Sequence, residues 1–250
     1  MKTQRSIGFL FLTIFLSACG STPLFRANFD SDTIGARPNS SPPGDPVGDW
    51  IYISNPESAV PNPVEVVNID EFDNRGNSLR YSNVNTPVWN RYVGFMSREI
   101  GLRTTEYFAF WNGRLDVSSS SSALDIWLGS SHFLPMASLR FEDGQILLAI
   151  GFGEFGKKYE AIGSYTTGIH TVLMRVDKPS ATYAIVIVQQ RGETIETGTR
   201  PVLYRDALRN LRPTLYMWFS EEGVHGSGSY LTDNVGISER APDISEMMPR

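Results

Sequence analysis

Few residues of this chain have the types and spacing that chemistry demands. Its histidines are His132, His170 and His225, and its one cysteine is Cys19. None of them stands at a metal-ligand spacing. His132 and His170 with Tyr165 supply the residue types that remove a proton beside a uronate carboxylate, but no motif links them. Glycan hydrolysis needs two carboxyl groups in different protonation states across the bond. In Ile69-Asp70-Glu71-Phe72-Asp73 an extended chain would send Asp70 and Glu71 to opposite faces, so the run reads as a solvated turn. Asp125, in Leu124-Asp125-Ile126-Trp127, is a lone acid inside an apolar strand pattern and could face a ligand cleft or solvent. No catalytic residue is assigned.

Gly151-Phe152-Gly153-Glu154-Phe155-Gly156 fits the spacing of a phosphate-binding glycine loop. Such a loop must open a helix, whereas Tyr159–Tyr165 reads as another strand, so the glycines are expected to connect two strands. The tryptophans are Trp50, Trp89, Trp111, Trp127 and Trp218. Flat rings with polar groups at their edges are what a sugar-binding surface uses, although most aromatics of a two-layer β-protein belong to its core. Trp50 and Trp89, beside loop-like sequence, and Trp127, next to Asp125, are the candidate ligand-binding aromatics.

The elements that must position these residues are short, β-branched and aromatic runs separated by turn residues. Strands are expected at Phe25–Phe29, Val64–Asp70, Ser78–Ser82, Thr105–Val117, Leu124–Leu128, Ala137–Phe141, Ile146–Phe152, Tyr159–Tyr165, His170–Val176, Thr182–Gln190, Thr214–Phe219 and Ser229–Ile237. Glu142-Asp143-Gly144-Gln145 is a hairpin signal, because Asp-Gly accepts the positive φ angles of a type I′ turn. Only Val202–Leu211 has a helical pattern, stopped before Pro213. Asn39–Asp49 and Ser118–Ser122 read as loops within one domain.

Three segments resemble concanavalin A-like jelly rolls, a group that includes laminin G-like domains and a lectin and glucanase superfamily. They are Ala27-Asn28-Phe29-Asp30-Ser31-Asp32-Thr33-Ile34-Gly35, Gly76-Asn77-Ser78-Leu79-Arg80-Tyr81 and Tyr230-Leu231-Thr232-Asp233-Asn234-Val235-Gly236-Ile237. The resemblance implies an all-β fold, a two-sheet antiparallel jelly-roll β-sandwich with at most one short helix, over residues 25–238. It also implies that the first strand lies beside the last. Asp30, Asp32 and Asp233 would then approach one another, and their oxygens suit a structural Ca²⁺; the alternative is that they hydrogen-bond loop amides. No other cofactor is expected. Hydrolases of the group carry acids alternately on one strand as E-x-D-x-E, a pattern this chain lacks.

The N-terminus gives an address. Lys2 and Arg5 precede an apolar run from Ile7 to Leu16, too short to span a bilayer, and Leu16-Ser17-Ala18-Cys19 resembles a bacterial lipobox. The resemblance implies a signal peptide at residues 1–18, lipid on Cys19 with an acylated amino group such as palmitate provides, and a tether at 19–24. Gly20 in place of Asp favours the outer membrane. Loss of Lys2 and Arg5 takes the formal charge from −5 to −7, which disfavours nucleic acid as a partner. With its sole cysteine lipidated the exported domain has no disulfide, so stability rests on the core. A flexible tail is expected at 239–250. Together these features point to a lipid-anchored envelope protein that binds glycan or scaffolds another envelope component, with a polysaccharide lyase or glycoside hydrolase as the alternative.

Overall fold

The computed structural model of the 250-residue chain describes residues 25–27, 29–30, 32–35, 50–53, 64–68, 77–82, 91–97, 100, 103–116, 122–130, 132–153, 156–190, 192–210, 212–221 and 229–242. These form two antiparallel sheets. Across the nine-stranded sheet the order is β13 (Thr194–Glu196), β12 (Thr182–Gln189), β11 (Gly168–Asp177), β6 (Glu106–Asp116), β16 (Ser229–Ser238), β4 (Ser78–Ser82) and β3 (Val64–Val67). In the same sheet β1 (Phe25–Ala27) pairs with β16 and β14 (Arg200–Pro201) with β12. The seven-stranded sheet runs β10 (Gly156–Ser164), β9 (Gln145–Gly153), β8 (Pro135–Glu142), β7 (Ser122–Ser130), β15 (Pro213–Glu221), β5 (Arg91–Met96) and β2 (Trp50–Ile53). The fold is the all-β sandwich expected from the sequence.

Alternation builds the core. On β7, Leu124, Ile126 and Leu128 are buried between the sheets with Phe141 and Leu139 of β8, Met217 of β15 and Phe95 of β5. Opposite them the nine-stranded sheet contributes Tyr107, Ala109 and Trp111 of β6, Val172 and Met174 of β11, and Val235 and Ile237 of β16. Each large apolar side chain buried this way contributes about 1.5–3 kcal/mol. Trp111 Nε1 donates to Thr232 Oγ1 at 2.9 Å, so the one polar atom of the largest core ring is satisfied.

First and last strands do lie side by side, Phe25 opposite Ile237 and Ala27 opposite Val235. β4 pairs with the other half of β16, Leu79 opposite Thr232. The register of β16 on β6 shifts between Thr232 and Val235, placing Asp233 and Asn234 in the irregularity where β4 gives way to β1. The Asp143-Gly144 turn has φ of 49° and 75°, both positive as a type I′ turn requires, and it joins β8 to β9 with Glu142 opposite Gln145.

The elements differ from expectation in two respects, the strands and the helix. β2, β5, β13 and β14 are strands where none was expected. In β5, Gly94 interrupts the β-pattern, and a Cβ there would sit 3.0 Å from the Tyr216 ring. The helical pattern of Val202–Leu211 yields only a five-residue 3₁₀ helix, Arg205–Arg209. Its would-be first turn is drawn into sheet-like pairing instead, since Leu203 and Tyr204 N–H donate to the carbonyls of Met136 and Pro135. Of the C-terminal tail, Glu239–Pro242 are described, and Ala241 packs on Phe108, Phe110, Leu173 and Val186. That small cluster lies on the face of the nine-stranded sheet away from the main core.

Candidate functional site

The face of the seven-stranded sheet turned away from the core carries the densest group of aromatic and charged side chains among the described residues. Because Leu124, Ile126 and Leu128 point inward, Asp125 and Trp127 point outward, yet they are only 5 % and 3 % exposed. Register explains their neighbours. Asp125 lies opposite Arg140 of β8 and Trp218 of β15, and Trp127 opposite Ser138 and Tyr216.

Asp125 is the hub of a polar network. Its Oδ1 accepts from Arg140 Nε at 3.1 Å and Tyr159 Oη at 2.9 Å, and its Oδ2 accepts from Arg140 Nη2 at 2.9 Å. The guanidinium lies 4.7 Å from the centroid of the Tyr159 ring and 3.7 Å from Glu142 through Nη1. Burial works against the Arg140 charge, but the hydrogen bonds and charge of Asp125 outweigh it and hold the guanidinium above its usual range. Tyr159 is raised, first by burial and then by the Asp125 charge, so its hydroxyl stays a donor. The carboxylate, held in a bidentate pair and by a phenol, has its lone pairs engaged by these donors.

Beside this network lies an aromatic floor. Trp127 stacks on Tyr216 with centroids 4.2 Å apart and planes 19° apart, Trp218 tilts against Trp127 at 6.4 Å, and Phe133 approaches Tyr216 at 5.1 Å. Glycines make room for it. A Cβ on Gly129 would lie 2.7 Å from both the Trp127 ring and the Leu134 carbonyl. Lys157 Nζ reaches from β10 to within 5.2 Å of the Trp127 ring centroid and donates to Ser138 Oγ at 3.0 Å. Burial pulls the Lys157 ammonium below its usual range, the Asp125 charge opposes that, and Arg140 adds to it. Trp127 Nε1 is buried with no hydrogen-bond partner, which is uncommon for so strong a donor. Phe133 is held at φ 60° in the β7–β8 turn, a conformation costing about 1–3 kcal/mol for a non-glycine residue. Ser130 fixes that turn through its carbonyl, which accepts from Phe133 N at 3.0 Å, and its hydroxyl, which accepts from Leu134 N at 3.3 Å.

Of the expected site residues, Asp125 and Trp127 therefore meet on one face. Trp50 opens β2 in register with Met96. Trp89, Cys19, His225 and the Asp70-Glu71-Asp73 run lie outside the described residues. Trp111 belongs to the core. The Gly151–Gly156 motif is the connection between β9 and β10, with Gly153 opposite Gly156. His170 is buried with its ring against Phe141 and Tyr165, and its Nδ1 lies 2.9 Å from the Gly168 carbonyl. His132 is exposed in the β7–β8 turn. The pair is thus split between interior and surface rather than gathered for proton abstraction. Asp30, Asp32 and Asp233 lie near the β1–β4 junction on β16. There Asp30 Oδ1 accepts from Asn77 N at 3.0 Å, the Asp32 carbonyl accepts from Asn77 Nδ2 at 3.2 Å, and Asp233 Oδ2 accepts from Asn234 Nδ2 at 2.7 Å. Among the described residues no three His, Cys, Asp or Glu side chains gather as a metal ion would require.

Arg140, Lys157, Tyr159, Ser138 and Tyr216 had no signal of their own in the sequence. Each is an ordinary polar or aromatic residue in an alternating strand, and only the pairing of β7 with β8 and β15, and of β9 with β10, puts them on one patch.

No protein-family model matches this sequence, and no curated protein matches it. Solved structures do share its architecture. One is the lectin UEA-II complexed with galactose, at 9% identity and a TM-score of 0.53, covering 87% of this chain and 99% of the lectin. A second is the basic winged bean lectin with Tn-antigen, at 10% identity and a TM-score of 0.53, covering 86% of this chain and 97% of that one. A third is lectin II from Ulex europaeus, at 9% identity and a TM-score of 0.51, covering 87% and 100%. The chain has the concanavalin A-like sandwich of legume-type lectins, and at these identities the similarity concerns the fold.

Proposed function

We propose that this protein is a lipid-anchored glycan-binding protein of the bacterial cell envelope, held at the outer membrane through Cys19 and binding on the outward face of its seven-stranded sheet. The observation that carries the reading is the half-buried Trp218 ring, packed against the buried Trp127–Tyr216 stack and neighboured by Lys157 and the Asp125–Arg140–Tyr159 network. A partly exposed ring offers the apolar face of a pyranose a platform, and donors at its edge read the hydroxyls. Lectins that share the fold, one solved with galactose and another with Tn-antigen, support a carbohydrate ligand.

Binding accounts for the site better than cleavage does. A hydrolytic pair needs one acid free to give up a proton, and Asp125 is committed to Arg140 and Tyr159. The expected outcome is binding on a glycan array that falls sharply in Trp127→Ala, with no cleavage of any bound polysaccharide. Array binding unaffected by Trp127→Ala would displace the site, and release of shortened oligosaccharides would establish an enzyme instead. The anchor is tested separately: Cys19→Ser should abolish lipid labelling and release the processed protein from membranes. Membrane attachment of a processed Cys19→Ser chain would refute it.

A further inference from the structure

Among the residues whose side-chain exposure is described, the exposed aromatic ones are Phe133, Phe152 and Tyr204, at 43 %, 39 % and 39 % exposure. All three lie at one end of the sandwich. Leu139 of β8 pairs with Leu148 of β9, so continuing that register brings Phe152 level with Pro135, two residues after Phe133. Tyr204 N donates to the Pro135 carbonyl at 3.1 Å, and the Phe152 and Tyr204 rings are 4.6 Å apart.

The nine-stranded sheet reaches the same end. Leu203 N donates to Met136 O and Val202 N to Ala181 O, both at 3.0 Å, while Tyr107 Oη donates to Met136 Sδ at 2.8 Å. The β11–β12 turn and the start of β6 therefore sit beside the exposed rings. This is also the end at which the chain enters the fold. Phe25 pairs with Ile237, which pairs with Ala109, and β1 runs from there toward Val235, away from the start of β6. β1 therefore begins at the end that carries the aromatics. Only Gly20 to Leu24 separate Cys19 from Phe25, a reach of at most about 20–22 Å.

Charge at this end runs against the acidic balance of the whole chain. Lys178, Arg205, Arg209 and Arg212 surround it. Of the nearby acids, Asp177 accepts from Ser180 N, Asp206 is paired with Arg209 at 3.6 Å, and Glu239 hydrogen-bonds Thr104.

We infer that this end of the sandwich, through Phe133, Phe152, Tyr204 and the surrounding cations, is a lipid-contacting surface that rests on the bilayer to which Cys19 is anchored. Aromatic rings concentrate at the membrane–water interface, and basic residues are drawn to anionic headgroups. The inference rests on the anchoring part of the proposed function and adds an orientation: the Asp143-Gly144 turn and the β10–β11 loop point away from the membrane, and the sheets stand upright on it.

The lipidated full-length protein, reconstituted in vesicles of phosphatidylethanolamine and phosphatidylglycerol, tests this directly. Because lipid occupies the only cysteine, one added cysteine takes a fluorophore: Ser180→Cys in the β11–β12 turn, or Thr166→Cys in the exposed loop at the opposite end. A quencher attached to the lipid headgroup is expected to remove most of the emission at position 180 and little at position 166. Adding Phe152→Ser and Tyr204→Ser should restore much of the emission at 180. Equal quenching at the two positions in protein that floats with the vesicles would overturn this orientation alone. So would quenching at 180 that is unchanged by the aromatic substitutions. A chain that carries no lipid and does not float would overturn the anchoring reading together with it.

Discussion

Replacing Asp125 by Asn separates a structural pair from a catalytic acid. The carboxylate holds Arg140 by two hydrogen bonds at 3.1 and 2.9 Å, and the two side chains are 7 % and 17 % exposed. Asparagine keeps the shape, removes the charge and turns an NH₂ group toward guanidinium donors or Tyr159. Removing one partner of a buried pair costs about 3–5 kcal/mol because the other charge is stranded. Glu142, 3.7 Å from Arg140 Nη1, and the residual exposure of the guanidinium place the expected loss near the lower end, about 3 kcal/mol. For a domain of this size that is a fall in Tm of about 6–12 °C. Arg140→Met should cost a similar amount alone. The double variant should recover most of the loss, since carboxylate and guanidinium are then removed together and neither is stranded by loss of the other. Urea unfolding of the four proteins measures the coupling. Asp125→Asn within about 0.5 kcal/mol of the parent, or a double variant as unstable as the sum of the two, would refute the pairing argument. Loss of a polysaccharide-cleaving activity in Asp125→Asn without loss of stability would make this residue a catalytic acid.

Three further outcomes are expected. Gly129→Ala should weaken glycan binding as Trp127→Ala does, because its Cβ would fall 2.7 Å from the Trp127 ring and from backbone that cannot yield; array binding equal to the parent would count against the aromatic floor. Burial lowers the His170 pKa, opposed by the Gly168 carbonyl and Gln189, so the unfolded chain binds the extra proton more readily. Stability from this group is complete above about pH 6.5 and lost as pH falls below it, and His170→Leu should flatten the slope of unfolding free energy between about pH 5 and 7. Burial raises Tyr107 and Tyr159 and pushes Tyr165 and Tyr183 up to about 12, so the folded state holds these protons more tightly. Their contribution is complete below about pH 10 and lost above it; urea midpoints at pH 9 and 11 check the sign, and Tyr183→Phe should reduce the loss.

Much of the architecture was legible because its causes are local. Alternation in Leu124–Leu128 and Thr182–Gln190, and Asp-Gly between two apolar runs, constrain the backbone through side-chain burial and φ preference alone. β5 was not legible, since Gly94 looks like a break until the Tyr216 ring that lies over it is known. The helix expected over Val202–Leu211 was shortened by hydrogen bonds to Pro135 and Met136, partners about 70 residues distant in sequence.

By itself the sequence determined the sheet-forming class, the β8–β9 turn, the adjacency of first and last strands through its resemblance, and an expected lipid address at Cys19. It marked Asp125 and Trp127 but left open which way they face. Only the tertiary structure decided that they share a face with Arg140, Lys157, Tyr159 and Tyr216, that His170 is interior, and that Asp30 binds a loop amide. Those outcomes depend on strand register between segments far apart in the chain, and a shift of one residue would turn every one of these side chains to the opposite face.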